Sequence, residues 1–325
     1  MMIRVQHITI FRIKYSDIIY HDVHTQKAEK MSGNRLRIAI IGSGNIGTDL
    51  LIKVRRSGIL KCSLFVGRRL DSPGLERARK LGIQATDGGV EALLEKSSSL
   101  DLVFDATSAE QHNSNFEQFM KLGLSIINLT PAPVGQFYVP LVTDDLTLMN
   151  FVDKHLNMVT CGGQTVIPIL HSITNGGDTV LEAEIVSTIS SKSAGIATRQ
   201  NLDEYIANTE SAIKKLTLIE KSKVMLILNP AVPEIIMHTS CYLTIDNPDL
   251  ERIMFNLKSI LNKMQLKNPG MKLISEPVIL KNSVVHFAIV VEGHGDYFPK
   301  YAGNLDIINV AAVSAAESLA MLVEK

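Results

Sequence analysis

The 325-residue chain has no excess of either charge, with Lys plus Arg and Asp plus Glu at 33 each. Without a global field it has no pull on nucleic acid or an anionic membrane surface, so a small, roughly neutral ligand or another protein is the expected partner. Cysteine is scarce: Cys62, Cys161 and Cys241 are odd in number and lack Cys-x-x-Cys spacing. That excludes a disulfide framework or structural zinc site from the expectation and fits a reducing cytoplasm. No uninterrupted apolar run approaches the roughly 18 residues that a membrane helix needs, so the positive mean hydropathy points to buried strands in a soluble protein. The first 34 residues lack a signal-peptide pattern, because Arg4, His7, Arg12, Lys14, Asp17, His21 and Asp22 interrupt every apolar stretch. They are expected to form a weakly ordered extension, with Met31 as an alternative start.

From Arg37 onward, short apolar runs alternate with helical patterns: RIAII, a helix from Ile46, CSLFVG, a helix near Leu75, LVFDAT, a helix near Phe116, and SIINL. Such spacing implies βαβ units and a parallel sheet, so the expected class is α/β. After residue 160 come long strands, LEAEIVSTIS, KVMLIL, MKLISEPVIL and VVHFAIVVEG, which suggest an α+β lobe with a mixed or antiparallel sheet. Length alone favours two domains. Between the long strands, an apolar stripe from Leu250 to Met264 predicts a packing helix, with Asn247 as its cap and Pro248 in its first turn. The Ala-rich stretch from Gly303 to Val323 is expected to be buried between elements.

Gly42-Ser43-Gly44-Asn45-Ile46-Gly47 directly follows the first strand and opens a helix. In that position Gly42 allows a tight turn, Gly44 lets backbone approach a pyrophosphate, and Gly47 permits close helix packing, so a dinucleotide cofactor is expected. Thr107 and Ser108, in the loop after LVFD, are expected to line the nicotinamide half. At the end of the second strand, where an acidic residue would select NAD through the ribose 2′-hydroxyl, this chain has Arg68 and Arg69. Their donors suit the 2′-phosphate of NADP.

Cys161, in Asn157-Met158-Val159-Thr160-Cys161-Gly162-Gly163-Gln164, precedes an expected helix. A thiol at a helix N-terminus has its thiolate favoured by the N–H groups and dipole, and the Gly162 and Gly163 amides are candidate donors to an oxyanion. Cys62 and Cys241, inside apolar runs, read as structural.

With IGSGNIGTDL at 41–50, VFDATSA at 103–109, NMVTCGGQ at 157–164, SSKSAG at 190–195 and YAGNLDI at 301–307, the chain from about residue 36 onward resembles acetaldehyde dehydrogenase (acetylating). This is the coenzyme A-dependent family of aromatic meta-cleavage pathways. The resemblance implies Cys161 as acyl-carrying nucleophile, NAD or NADP at the glycine loop, Asn304 beside the nicotinamide, and Ser193, in a substrate-side loop with Ser191 and Lys192, as a further cofactor-binding residue. It implies coenzyme A as acyl acceptor, 4-hydroxy-2-oxovalerate aldolase as partner, and a homo-oligomer. It also implies a terminal helix that returns to the nucleotide domain: 35–160 with 302–325 would bind the dinucleotide in a Rossmann-type domain, and 161–301 would be the catalytic and dimerisation domain. The family carries Met-Arg-Asp-Thr after an Asn-Pro turn; here Asn229-Pro230 is followed by Ile236-Met237-His238-Thr239, with no carboxylate at the matching place. His238 is therefore a candidate general base, set against the structural histidine that an apolar strand more often holds, with His294 a weaker one. Two rival readings remain open: a semialdehyde dehydrogenase-type reductase using phosphate as acceptor, and a catalytically impaired subunit that binds nucleotide and a partner.

Overall fold

A computed structural model describes residues 35–143 and 155–323; the expectations for residues 1–34 lie outside them. The first half alternates β1 (Leu36–Ile41), α1 (Asn45–Arg56), β2 (Leu60–Val66), α2 (Pro73–Lys80), β3 (Ala85–Thr86), α3 (Gly89–Lys96), β4 (Leu102–Asp105), α4 (Ala109–Leu122), β5 (Ser125–Asn128), β6 (Gln136–Phe137) and β7 (His155–Asn157). These strands form one sheet in the order β3-β2-β1-β4-β5-β7-β6, and the neighbours pair in parallel. Ile38, Ala39 and Ile40 on β1 and Leu102, Val103 and Phe104 on β4 are buried consecutively, because helices cover both faces of a parallel sheet and leave no side for alternation.

The second half consists of α5 (Cys161–Asn175), β8 (Val180–Ser190), α6 (Leu202–Leu216), β9 (Lys221–Asn229), β10 (Met237–Ile245), α7 (Leu250–Gln265), β11 (Met271–Ile279), β12 (Val284–Val291) and α8 (Gly303–Val323). Its sheet runs β11-β12-β10-β8-β9 and is mixed: β8 and β9 are parallel, the other pairs antiparallel. Here burial alternates along β10, so Met237, Thr239, Cys241 and Leu243 face the helices, and His238, Ser240 and Tyr242 face the other side. The helix α5 is buried nearly all round, with α6, α7 and α8 packed against it.

The expected stripe is present on α7, with Ile253, Leu257, Ile260, Leu261 and Met264 buried. Its cap differs from the expectation. Asp249 accepts the Arg252 N–H at 3.1 Å, while Asn247 lies outside the helix at φ +50°. Two residues were available with capping side chains, and the one nearer the first turn reaches its amides. By length and composition α8 is long and apolar enough to cross a membrane, yet it packs on α1 and α5, with Ala311, Ala312, Ala315 and Ala316 buried. Small side chains there let the helices approach.

Candidate active site

Ile41, Asp105, Asn128 and Asn157 stand in register across β1, β4, β5 and β7. The residues that follow them therefore share one edge of the sheet, at steps of about 4.8 Å. Strand order reverses between β1 and β4, the place where open α/β sheets bind ligands at their carboxyl ends.

The glycine loop at this reversal is shaped by contacts that side chains would destroy. Gly42, at φ +112°, packs so close to Ala106 that a Cβ would overlap its carbonyl, and a Cβ at Gly47 would overlap the Gly42 carbonyl. Gly44, by contrast, faces open space. As the N-cap of α1 it offers no side chain, and the first turn of Asn45, Ile46 and Gly47 has no acidic residue, so the amides are left to attract an anion. Ser43 Oγ accepts the Ser72 hydroxyl at 2.8 Å, and a Cβ at Gly67 would come within 2.6 Å of Ser43 Oγ. The end of β2 thus abuts the cradle. Arg68 is exposed there. The Arg69 fork is engaged by Asp71, through Nε at 3.0 Å and Nη2 at 2.8 Å, so a 2′-phosphate at Arg69 would compete with that carboxylate.

Thr107 and Ser108 stand beside the cradle, held from below. Asp105 Oδ1 accepts the Thr107 amide at 2.9 Å and its hydroxyl at 2.6 Å, and Ser108 caps α4 by accepting the Gln111 N–H. The other Asp105 oxygen meets His112 Nδ1 at 2.6 Å, and His112 Nε2 meets His155 Nε2 at 3.0 Å. If the Nδ1 proton of His112 points to Asp105, its Nε2 must accept from His155, leaving His155 Nδ1 without a partner. Asp105, His112 and His155 are all buried. Burial, then the neighbouring His112, pushes His155 down to about 4.

Cys161 opens α5. Before it, Val159 adopts φ +61°, an unfavourable conformation for a β-branched residue. The Val159 amide donates to Asn157 Oδ1 at 2.7 Å and its carbonyl accepts Asn208 Nδ2 at 3.0 Å. Thr160 caps the helix by accepting the Gly163 N–H at 2.9 Å, and the Gly162 N–H donates to Tyr205 Oη at 3.0 Å. Both amides expected to serve an oxyanion therefore already have acceptors. The same Tyr205 oxygen lies 3.6 Å from Cys161 Sγ. The thiol is half-buried. Burial pushes it up from its ordinary value, and Tyr205 followed by the Gly162 amide acts against that rise. A helix N-terminus alone does not make this thiol acidic. Cys62 and Cys241 are buried, and burial raises both, Cys62 to about 12.

His238 is not brought to Cys161. Its neighbour Thr239 hydrogen-bonds Ser187 at 3.0 Å, and Ser187 Oγ lies 3.4 Å from where a Gly162 Cβ would be. Thr239 thus faces the start of α5, and the strand's period of two turns His238 to the opposite side. Set against Met-Arg-Asp-Thr, Met237-His238-Thr239 puts an uncharged hydroxyl at the aspartate's position. Ser193 is buried and donates to the Ser190 carbonyl at 2.8 Å, while Lys192 pairs with Glu234. Asn304, in the first turn of α8, is buried with its Oδ1 unpartnered, which fits a carboxamide donor such as that of a nicotinamide.

His294 is committed elsewhere. With Asp296 and Asp306 it forms a group whose ligand atoms lie within 4.8 Å of one another. Lys53 stands among them, paired with Asp306, with Asp49 at 2.7 Å and with Asp296 at 3.6 Å, and Arg56 takes Asp296 at 2.6 Å. The carboxylates are already neutralised by protein cations, so this is an electrostatic clamp between α1, α8 and the loop before α8.

Tyr205, Ser187, the His155–His112–Asp105 chain and the Lys53 clamp went unread in the sequence. None has a motif of its own; each depends on chain segments far apart.

The family description "Prokaryotic acetaldehyde dehydrogenase, dimerisation" matches residues 161–299. The chain is 44% identical over 288 residues to an acetaldehyde dehydrogenase of Pectobacterium atrosepticum, covering 89% of this chain and 97% of that one. It is 43% identical over 290 residues to one of Spirochaeta aurantia, covering 89% and 96%. In fold it is similar to aspartate semialdehyde dehydrogenase II complexed with ASA from Vibrio cholerae, at a TM-score of 0.61 and 12% identity, over 88% of this chain and 98% of that one. With relatives this similar over nearly their whole length, the chain belongs to the acetaldehyde dehydrogenase family and is an oxidoreductase.

Proposed function

We propose that this chain oxidises acetaldehyde, or another short aldehyde, through a thioester on Cys161 and transfers the acyl group to coenzyme A. The observation that carries the reading is the position of Cys161: a partly buried cysteine at the start of a helix, on the sheet edge that also holds the glycine cradle. In this reading residues 35–160 with 302–325 hold the dinucleotide and 161–301 carry the catalytic and dimerisation parts. Gly42, Ser43, Gly44, Asn45, Ile46 and Gly47 would hold the pyrophosphate, Thr107 and Ser108 would flank the nicotinamide, and the unpartnered Asn304 Oδ1 would be available to its carboxamide. A nicotinamide bound there would supply the hydride acceptor that converts a thiohemiacetal on Cys161 into a thioester. The coenzyme A thiol, giving its proton to solvent, then takes the acyl group, and breaking the Cys161 C–S bond returns the Cys161 thiolate. Since His238 faces away, Cys161 is activated by its immediate surroundings, and its proton leaves to solvent. Ser193 supports the loop after β8 from a buried position.

The cofactor is NAD or NADP, with NADP favoured by Arg68 and by the absence of a carboxylate at the first two positions after Gly67. In this reading the protein is a cytoplasmic homo-oligomer; the outer face of the second sheet, with Met225, Ile227, Tyr242 and His286 at least partly exposed, suits a second copy. A 4-hydroxy-2-oxovalerate aldolase delivering acetaldehyde, in the catabolism of aromatic compounds, fits the same reading. The phosphate-acceptor alternative loses support from the cations near the loop after β8: Lys192 is paired with Glu234, and Arg199 Nη2 donates to Ser191 Oγ and the Ser191 carbonyl at 2.7 Å each. Assaying acetaldehyde oxidation with coenzyme A, with phosphate and with neither tests the reading. Coenzyme A dependence is expected; phosphate dependence selects the semialdehyde-type reaction, and cofactor binding without turnover selects an impaired subunit.

A further inference from the structure

The first turn of α5 and the helix α6 are tied together around one phenol. Tyr205 is buried, and its hydroxyl accepts the Gly162 N–H at 3.0 Å while lying 3.6 Å from Cys161 Sγ. Its backbone is fixed to the same turn: Thr209 donates its hydroxyl to the Tyr205 carbonyl at 2.7 Å, and the Thr160 and Thr209 hydroxyls meet at 2.7 Å. Thr160 is itself the cap of α5. A Cβ at Gly162 would overlap Tyr205 Oη, so the glycine is what admits the ring.

A phenol has one proton, and a main-chain amide can only donate. The Gly162 N–H takes an acceptor position on the phenol and the Thr160 hydroxyl also lies against it, while the Tyr205 O–H can be donated toward Sγ, 3.6 Å away. A thiolate can only accept, so in the charged state of Cys161 the direction of the bond is fixed. We propose that Tyr205 is a catalytic residue of this site, donating a hydrogen bond that selectively favours the Cys161 thiolate. This rests on the reading of Cys161 as the nucleophile. Tyr205 keeps its own proton throughout, because burial first, and then the adjacent Cys161, holds its hydroxyl well above the ordinary tyrosine value.

The groups that could take this role instead are uncharged, engaged or turned toward solvent. Ser187 on β8 and Thr239 on β10 bond each other. Glu182 and Glu184 on β8, and His238 and Tyr242 on β10, are at least partly exposed. On α6, Glu210 accepts the Val224 amide and Lys214 pairs with Glu220; Asp203 and Glu204 sit in its first turn and Lys215 lies over the Phe137 ring. On α8, Asp306 is paired with Lys53 and Glu317 with Ser57 and Lys267. On α7, Arg252 pairs with Asp178. The α5 histidine, His171, meets the Leu216 carbonyl at 2.9 Å.

The test is the pH dependence of iodoacetamide alkylation of Cys161 in the full chain, read by mass spectrometry of its peptide. Alkylation reports the thiolate without requiring turnover, so it stays separate from whether Cys161 carries an acyl group. In Tyr205→Phe the midpoint should move up by about one unit, with about a tenfold lower rate at neutral pH. Replacing Tyr205 by 3,5-difluorotyrosine, a stronger donor of nearly the same shape, should move it down. A purely structural tyrosine would give no such pair of opposite shifts. An unchanged midpoint in Tyr205→Phe would overturn the proposal, and so would an unchanged or raised midpoint in the fluorinated protein, which decides the matter if the phenylalanine variant does not fold.

Discussion

Gly162 and Tyr205 occupy a single space: the tyrosine hydroxyl stands where the side chain of residue 162 would begin. Gly162→Ala must therefore displace Tyr205, the first turn of α5, or both. Movements of about 1 Å at a reacting group cost on the order of 100-fold in rate, so kcat/KM for aldehyde oxidation should fall by about that factor. Overpacking should also lower stability by about 1–3 kcal/mol. Cofactor affinity, measured by fluorescence titration, should stay within about threefold of wild type, because the cradle is built from other elements.

Gly44 gives the opposite kind of test. Nothing lies within 4 Å of a Cβ built there, so the fold tolerates Gly44→Ala. Stability should change by no more than about 0.5 kcal/mol. The new methyl group would nonetheless occupy the approach to the α1 amides, and the cofactor Kd should rise about tenfold or more. Gly47→Ala should instead damage the fold, since its Cβ would overlap the Gly42 carbonyl. Equal cofactor affinity in wild type and Gly44→Ala would count against this loop as the phosphate cradle.

These glycines were legible in the sequence because their signal is local: a strand, a turn and a helix within about a dozen residues. The same holds for Cys161, whose place at the start of α5 follows from the residues beside it. Tyr205 was not legible, since it lies 44 positions from Cys161 and is delivered by the packing of α6. His112 and His155 are likewise 43 positions apart and meet because β5 pairs with both β7, which carries His155, and β4, which leads into α4 and His112. His238 shows the limit in another way. It was a candidate because the resembling family carries a carboxylate in this stretch, but only the strand's register with β8 decides that Thr239 faces inward.

Arg68 and Arg69 make cofactor choice testable. Arg69 is held by Asp71 at the surface, and exposed pairs of this kind contribute little, about 0–1 kcal/mol, so a 2′-phosphate can displace the carboxylate. Arg68→Ala combined with Arg69→Asp should lower the NADP-over-NAD ratio of kcat/KM by about tenfold or more. A wild-type enzyme that uses NAD at least about a hundredfold better would contradict the expectation.

His155 sets a pH dependence. Burial, and then His112, lowers it to about 4 from an ordinary 6.5, so the folded protein binds this proton less readily than the unfolded chain. The stability that depends on a neutral His155 is complete above about pH 6.5 and is lost as pH falls toward 4, by roughly 3 kcal/mol. His294, raised chiefly by its hydrogen bond with Asp306, works in the opposite direction. Urea denaturation of wild type and His155→Phe separates the two, because His294 is common to both. The variant should show a shallower loss of stability between pH 6.5 and 4; identical slopes would show that His155 is not the titrating group.

The most direct measurement is to trap the acyl-enzyme. Protein mixed with acetaldehyde and oxidised cofactor, without coenzyme A, should acquire one acetyl group on the Cys161 peptide by mass spectrometry, together with a burst of reduced cofactor. Adding coenzyme A should remove the acetyl group and release acetyl-coenzyme A, and Cys161→Ala should show neither adduct nor burst while still binding cofactor. Coenzyme A-dependent turnover in Cys161→Ala above a few per cent of wild type, or an acetyl adduct on another residue that coenzyme A discharges, would contradict the account.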